Sequence, residues 1–256
     1  MVTDSVECPG EIVQFPCLED NYGFLIRDAS SGQVVAVDTP DVSAILSVLE
    51  ERKWPLEYIL NTHWHEDHVG GNVALKVATG ARIIAPQIEM ARIPGVDVAI
   101  GDGATISLGK LTIVAMATAG HTLGHLSFYI PELNSIFVGD TLFVMGCGRI
   151  FEGTAEMMWH SLGRIAALPD QTKIYCAHEY SAANALFAVA VDDSVDTVAR
   201  AEQILAMRDR GEPTVPTTVG IERRTNPFLY LPDGVAGGVG VKAERFAQLR
   251  AQKDKF

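Results

Sequence analysis

The sequence feature that most constrains this chain is the segment 62–71, which reads THWHEDHVGG and directly follows the apolar run 57–61. That run is short and rich in residues that favour strands, so it predicts a buried β-strand. In an extended chain the first two histidines point to the same side, and a turn brings the aspartate and the third histidine to a second position. Such a loop can serve two adjacent metal ions. Its candidate ligands are His63, His65, Asp67 and His68.

The positions of the other histidines also indicate a metal site. A lone histidine in a loop is most often exposed or hydrogen bonded, but here five of the seven histidines fall just after apolar runs. Neutral imidazoles placed in this way are typical ligands of zinc, iron or manganese. The five are His63, His65, His68, His121 and His178.

The order of sequence patterns predicts an α/β fold with a helical end. Short β-branched runs predict a β meander over residues 11–37, and apolar residues at helical spacing predict a helix over 42–54. Strand and helix patterns then alternate as far as residue 177. From about residue 180 helical patterns dominate. We therefore expect a catalytic α/β domain over residues 1–179 and a helical substrate-binding domain over 180–256.

The charge of the chain restricts its partners. A net charge of −12 argues against a nucleic-acid binder, because phosphate contacts require a basic surface. The end of the chain is an exception, since residues 242–256 carry five lysines and arginines against two acidic residues. Arg250 and Lys253 lie three positions apart and hence on one face of a helix, where they can meet an anionic ligand. The alternative is that the pair belongs to the solvated face of a terminal helix.

The sequence also leads to expectations about the compartment, membrane association and assembly of the protein. No apolar run approaches the roughly 18 to 20 residues that span a bilayer. The four cysteines show no metal-binding spacing and follow nothing that resembles a signal peptide. We therefore expect a soluble cytoplasmic protein with reduced thiols and no membrane partner. Separately, we expect a monomer.

Four motifs in matching order resemble the metallo-β-lactamase superfamily: the segment 62–68, and then GHTLGH at 120–125, VGDTLF at 138–143 and CAHEY at 176–180. The resemblance implies an αββα sandwich of two mixed β-sheets flanked by helices. It also implies two divalent metal ions, with zinc expected first and iron or manganese as alternatives. One ion would be held by His63, His65 and His121, the other by Asp67, His68 and His178, and Asp140 would bridge them.

Within that superfamily the chain is most similar to the hydroxyacylglutathione hydrolases, or glyoxalases II, over nearly its whole length. The similarity rests on DNY at 20–22, GCGRIFEG at 146–153 and RAQKDKF at 250–256. It implies hydrolysis of the thioester of an S-(2-hydroxyacyl)glutathione, such as S-D-lactoylglutathione, by a metal-bound hydroxide in methylglyoxal detoxification. Asp67 and Asp140 would act in catalysis. The substrate would be bound by Arg149, Phe151, Tyr180, Arg250 and Lys253.

Two positions depart from the family pattern, and other functions stay open. Family members often have a lysine where this chain has Arg149 and a tyrosine where it has Phe151, so we expect weakened or rearranged glutathione binding. The rival enzyme is a glutathione persulfide dioxygenase with a single iron. A non-catalytic metal-binding protein on the same fold is the more distant alternative. True β-lactamases usually have another residue where this chain has Asp140, which disfavours antibiotic hydrolysis.

Overall fold

The computed structural model describes residues 8–231 and 238–256. The strands are β1 (Gly10–Cys17), β2 (Asn21–Asp28), β3 (Val34–Val37), β4 (Tyr58–Leu60), β5 (Arg82–Pro86), β6 (Val98–Ile100), β7 (Thr105–Leu108), β8 (Leu111–Ala117), β9 (Leu126–Ile130), β10 (Ser135–Gly139), β11 (Leu142–Phe143), β12 (Gly146–Cys147), β13 (Lys173–Cys176) and β14 (Thr217–Thr218). The α-helices are α1 (Val42–Arg52), α2 (Glu66–Val69), α3 (Asn72–Thr79), α4 (Ala155–Ala166), α5 (Ser181–Val191), α6 (Val195–Asp209), α7 (Val219–Thr225), α8 (Pro227–Tyr230) and α9 (Val239–Lys253).

The strands form two mixed sheets and one small hairpin. The first sheet has the order β1-β2-β3-β4-β5-β6, in which the predicted meander is antiparallel and the pairs from β3 to β6 are parallel. The second sheet has the order β14-β13-β10-β9-β8-β7, with a parallel pair between β10 and β13. Within the described residues, strands β11 and β12 pair with each other and with no other strand. The expected sandwich of two mixed sheets with flanking helices is confirmed.

The main core lies between the two sheets. Side chains alternate across the first sheet with period two, so Phe24 and Ile26 of β2 join Phe128 and Phe137 of the second sheet in one buried cluster. Leu25, between them, points to the opposite face and packs in a separate cluster that includes buried residues of α1. The sheets thus bury their inner faces against each other and leave the outer faces to the helices.

Helices α5, α8 and α9 are joined by an aromatic cluster. The ring centroids of Phe187 and Phe228 lie 5.8 Å apart, and those of Phe228 and Phe246 lie 5.9 Å apart. Trp159 of α4 contacts Phe246 at 6.0 Å, which connects the last helix to the sandwich. Strand β14 also comes from this part of the chain and extends the second sheet. The C-terminal helices are therefore packed onto the sandwich.

None of the helices in the described ranges has the length and apolar character that a membrane span requires.

Candidate metal centre

The candidate ligands lie in segments that follow strand ends. Strand β8 runs parallel to β10, because both are antiparallel to the intervening β9, and β10 runs parallel to β13. The carboxyl ends of these three strands therefore share one edge of the second sheet. His121 lies in the loop after β8, Asp140 follows β10 and His178 follows β13. The fold thus gathers residues that are far apart in the sequence.

Three histidines form the first group of donors. The Nε2 atom of His63 lies 2.9 Å from Nδ1 of His65, and Nε2 of His121 lies 3.0 Å from the same atom. Three imidazole nitrogens that converge in this way could hold one metal ion. This is the group expected for the first ion.

Asp67, His68 and His178 form the second group. The turn expected at Glu66 is the short helix α2, which carries the first two of these donors. Asp67 Oδ2 lies 3.4 Å from Nε2 of His68 and 3.3 Å from Nε2 of His178. The structure therefore brings together the three residues expected around the second ion.

Asp140 lies between the two groups and faces both. Its Oδ1 is 3.5 Å from Nε2 of His68 and 3.4 Å from Nε2 of His178, whereas its Oδ2 is 3.4 Å from Nε2 of His121. One carboxylate oxygen thus faces each group. This is the arrangement that a bridging ligand requires, since an anion between two cations reduces their mutual repulsion.

Two buried atoms test whether these residues fit divalent ions. His68 Nε2 and Asp140 Oδ1 are buried, and neither has a hydrogen-bond partner in the described part of the chain. Buried polar atoms normally have a partner. His68 belongs to the second group and Asp140 Oδ1 faces that group, and imidazole and carboxylate donors suit divalent metals. The donor set therefore fits a pair of divalent cations.

The protonation equilibria of the donors agree with that fit. Burial and the neighbouring imidazoles hold the pKa of His63 well below its usual value, so this ring is neutral and free to coordinate. Burial opposes charge on His68 as well, but the adjacent Asp140 and Asp38 raise its pKa well above the usual value. A metal ion would take the place of the proton that these acidic neighbours favour.

Hydrogen bonds on the far side of the rings orient the donors. His68 Nδ1 lies 2.8 Å from Oδ2 of Asp38, and His121 Nδ1 lies 2.8 Å from the carbonyl oxygen of Arg149. Such contacts fix the ring tautomer, with Nε2 left for the metal. Sequence reasoning missed Asp38, although it directly follows the apolar strand β3, which runs parallel to β4. This position at the end of a strand was the sequence signal that could have identified Asp38.

The DNY motif at 20–22 supports the second group. Asp20 Oδ1 accepts a hydrogen bond from Nδ1 of His178 at 2.8 Å, and Asn21 Nδ2 donates to Oδ2 of Asp67 at 3.2 Å. The motif therefore holds one histidine and one aspartate of that group in place.

Asp20→Ala is expected to weaken metal binding at the second group about 10- to 100-fold, because His178 loses the partner that orients its ring. The fold should persist, since the Asp20 side chain is 40% exposed. Competition titration with a chromophoric chelator measures both affinities, and Glu19→Ala is the matched exposed control. If Asp20→Ala bound each of the two ions with the same affinity as the native protein, this role would be contradicted.

The loops of the first group are held by two acidic residues that sequence reasoning also missed. Glu89 is buried and accepts a hydrogen bond from the Gly124 amide at 2.7 Å. Glu152 accepts from Nε1 of Trp64 and from the Leu123 amide, both at 3.1 Å. Because Trp64 lies between two ligands, these contacts join the segment 62–68 to the loop that carries His121.

A cavity of about 500 Å³ extends from the candidate metal centre to the last helix. His121 and Asp140 line one end, and residues of α9 line the other. All five expected substrate-binding residues border it: Arg149, Phe151, Tyr180, Arg250 and Lys253. The cavity thus places cations beside the metal ligands.

Two cations of the cavity, Arg149 and Lys253, differ in their exposure and in their polar partners. The Arg149 side chain is 68% exposed, and its nearest ion-pair partner is Asp254 at 3.8 Å. Lys253 donates to the Ala183 carbonyl at 2.7 Å, and burial followed by the charges of Arg250 and Arg149 lowers its pKa to about 8. Both remain able to meet an anion.

Arg250 is placed differently from a simple anion-binding residue. Its side chain is only 7% exposed, so the alternative of a solvated helix face is wrong for this residue. Nη1 donates to the Cys147 carbonyl at 2.8 Å, and Nη2 pairs with Asp254 at 3.1 Å. Arg250 therefore connects α9 to strand β12 in addition to bordering the cavity.

Two aromatic residues border the cavity next to the metal ligands. The Tyr180 ring stacks on His178, with centroids 4.8 Å apart and planes at 2°. The exposed Phe151 ring meets His121 edge-on at 5.1 Å. Each ring thus lies beside a different donor group.

Comparison with known proteins agrees with this geometry. The family model described as the metallo-beta-lactamase superfamily matches residues 24–178, and the one described as the hydroxyacylglutathione hydrolase C-terminus matches residues 179–256. The sandwich and the paired donor groups thus define the class as a metal-dependent protein of the metallo-β-lactamase fold.

Relatives narrow the class, and a solved structure shares the fold. A hydroxyacylglutathione hydrolase from Maricaulis maris is 49% identical over 96% of this chain and 98% of its own length. One from Erythrobacter litoralis is 49% identical over 96% of this chain and 99% of its own length. The crystal structure of ETHE1 from Myxococcus xanthus has a TM-score of 0.69 at 24% identity, covers 94% of this chain and 90% of its own, and shows the shared fold alone. The chain belongs to the hydroxyacylglutathione hydrolase family of the metallo-β-lactamase superfamily.

Proposed function

We propose that this protein hydrolyses the thioester of S-(2-hydroxyacyl)glutathione, such as S-D-lactoylglutathione, to glutathione and a 2-hydroxy acid. The observation that carries the proposal is the cavity that joins the metal-donor groups to Arg149 and Lys253. The substrate needs both features, because its thioester is on the central cysteine of the tripeptide, whereas its two carboxylates are on the flanking residues. The named function of the relatives supports the same substrate class.

We infer that the two donor groups hold two divalent ions, with zinc as the first choice and iron or manganese as alternatives that the same ligands serve. When bound, such ions lower the pKa of coordinated water and polarise a carbonyl oxygen. Asp140 would face both ions through its two oxygens. Asp67, together with Asn21, would hold the second position and orient the proton of the attacking water.

The glutathione part of the substrate would lie along the cavity toward α9. Arg149 and Lys253 supply positive charge for its carboxylates, and charge-assisted hydrogen bonds of this kind are strong. Tyr180 and Phe143 form one apolar side, with ring centroids 5.2 Å apart. Phe151 has no hydroxyl, so no hydroxyl contact comes from that position. The leaving thiolate needs little help from an acid, because a thiol with a pKa near roughly 8.5 is already a good leaving group at neutral pH.

We propose that the enzyme acts as a monomer. We propose that residues 1–179 form the catalytic domain and residues 180–256 the substrate-binding domain, although β14 of the second part also extends the sandwich. A reducing cytoplasm suits the four free cysteines.

Reaction type is tested by supplying two substrates to the purified protein. S-D-lactoylglutathione should release one thiol per turnover with and without oxygen. Glutathione persulfide should cause no oxygen uptake, whether the protein carries iron or zinc. Oxygen consumption in step with persulfide loss, without thioester hydrolysis, would instead favour the dioxygenase.

The pH dependence of KM tests the role of Lys253. Its pKa is lowered to about 8, so it is a cation at pH 7 and becomes neutral as the pH rises above 8. The cation attracts the substrate carboxylate, and KM should therefore rise about tenfold between pH 7 and pH 9.5. Lys253→Arg should flatten this rise, because arginine stays charged. An identical KM profile for the two proteins would contradict the assignment.

A further inference from the structure

The turn between β11 and β12 is held by side chains from the C-terminal helices. Asn226 Nδ2 donates to the carbonyl oxygens of Phe143 and Gly146 at 3.2 and 2.9 Å. Asn184 Nδ2 of α5 donates to the Val144 carbonyl at 3.1 Å. Side chains thus supply the hydrogen bonds that a longer strand pair would receive from its own backbone.

The Met145 amide of the turn is met by a buried acid. The Met145 amide donates to Glu222 Oε2 at 2.9 Å, and the same oxygen accepts from Asn226 Nδ2 at 3.0 Å. The other carboxylate oxygen accepts from the Thr217 hydroxyl at 2.7 Å. Glu222 and Asn226 are both fully buried. Met145 has φ of 53°, a conformation that costs free energy and persists only when surrounding contacts hold it.

The turn matters because its neighbours form the site. Phe143 and Cys147 line the cavity, and Cys147 O accepts the hydrogen bond from Arg250. Two residues further on, the Arg149 carbonyl accepts from Nδ1 of His121. The position of the turn therefore affects the cavity wall, the exposed cation and the orientation of one metal donor.

We propose that Asn226 and Glu222 are positioning residues for substrate binding: they fix the β11–β12 turn in the conformation that shapes the glutathione cavity. This inference rests on the proposed function for its substrate. Neither residue lines the cavity, and each acts through the backbone of the turn. If they served only the stability of the helices, their loss would lower the melting temperature and leave substrate affinity unchanged.

Two substitutions separate these roles. Asn226→Ser removes the side-chain amide that donates to the turn. In the native protein Asn226 Oδ1 also accepts a hydrogen bond from the Phe228 amide at 3.0 Å, at the start of α8. Serine keeps a side-chain oxygen that can accept this hydrogen bond. Glu222→Leu removes the acceptor for the Met145 amide. In the metal-loaded, full-length protein, each should raise KM about 10- to 100-fold and change kcat less.

Conservative and stability controls make the test specific. Glu222→Gln should restore most of the affinity, because the amide oxygen can accept from Met145 and Asn226 while its NH2 group donates to the Thr217 hydroxyl. Ile204→Ala, at a buried position of α6, should lower the melting temperature without raising KM. A fall in melting temperature for Asn226→Ser and Glu222→Leu with KM unchanged would overturn the proposal.

Amide hydrogen exchange provides a readout that does not depend on turnover. The Met145 amide should exchange faster in Asn226→Ser and Glu222→Leu than in Ile204→Ala, because only the first two release the turn. Unchanged exchange there would overturn the inference even if the native protein hydrolysed no glutathione thioester. Failure of the proposed function is a separate result, because it is measured as an absence of thioester hydrolysis by the native protein.

Discussion

Replacing Asp140 with asparagine is expected to lower kcat for S-D-lactoylglutathione about a thousandfold, which corresponds to about 4 kcal/mol of lost transition-state stabilisation. Asparagine keeps the size of the side chain but removes the negative charge that faces both donor groups, at 3.4 Å from His178 and 3.4 Å from His121. Two cations would then repel without compensation, so bound metal should fall from two ions toward one.

Metal analysis and steady-state kinetics on the same sample measure this result. Asp170→Asn is the matched control. That aspartate is exposed, and its ion-pair partner within the described residues is Arg223. The control should keep both ions and full turnover. An Asp140→Asn protein with two ions and turnover within about tenfold of the native value would contradict the bridging role.

The double substitution Arg149→Met/Lys253→Met is expected to raise KM about a hundredfold with a smaller change in kcat. Each cation can contribute a charge-assisted hydrogen bond to a substrate carboxylate, and loss of such contacts reduces binding more than chemistry. Methionine keeps much of the side-chain length and apolar contact. The substitutions leave the donor groups intact, so metal content should not change.

Arg223→Met controls for the general loss of positive charge, since Arg223 is exposed and pairs with Asp170. The comparison also uses a neutral acyl thioester that lacks the tripeptide. Hydrolysis of this neutral thioester should change little, and to the same extent, in the double variant and in Arg223→Met. A double variant that keeps the native KM for the glutathione substrate would exclude Arg149 and Lys253 from substrate binding.

Much of this architecture could be predicted because the informative residues are close in sequence. The segment 62–68 contains four donors, and its period-two spacing and following turn place them in two groups. Strand and helix patterns also predicted the meander and α1 within a few residues. Local periodicity carries this information, because it reports which face of each element is buried.

The remaining features depend on contacts between distant segments. Arg250 was predicted beside Lys253 as a cation for substrate, yet the structure buries it against Cys147, more than 100 residues earlier in the chain. Helical spacing cannot show that burial. The β11–β12 turn was also missed, because its two-residue strands are held by Asn226 and Glu222 rather than by a pattern of their own. Side-chain contacts of this kind leave no local signal.

The most direct measurement is thiol release from S-D-lactoylglutathione by the purified protein, followed as metal is removed and restored. We predict rapid hydrolysis at two bound ions, loss of activity on chelation and recovery when a divalent metal is added back. The same protein with two ions bound and no thiol release from this substrate would contradict the proposed function.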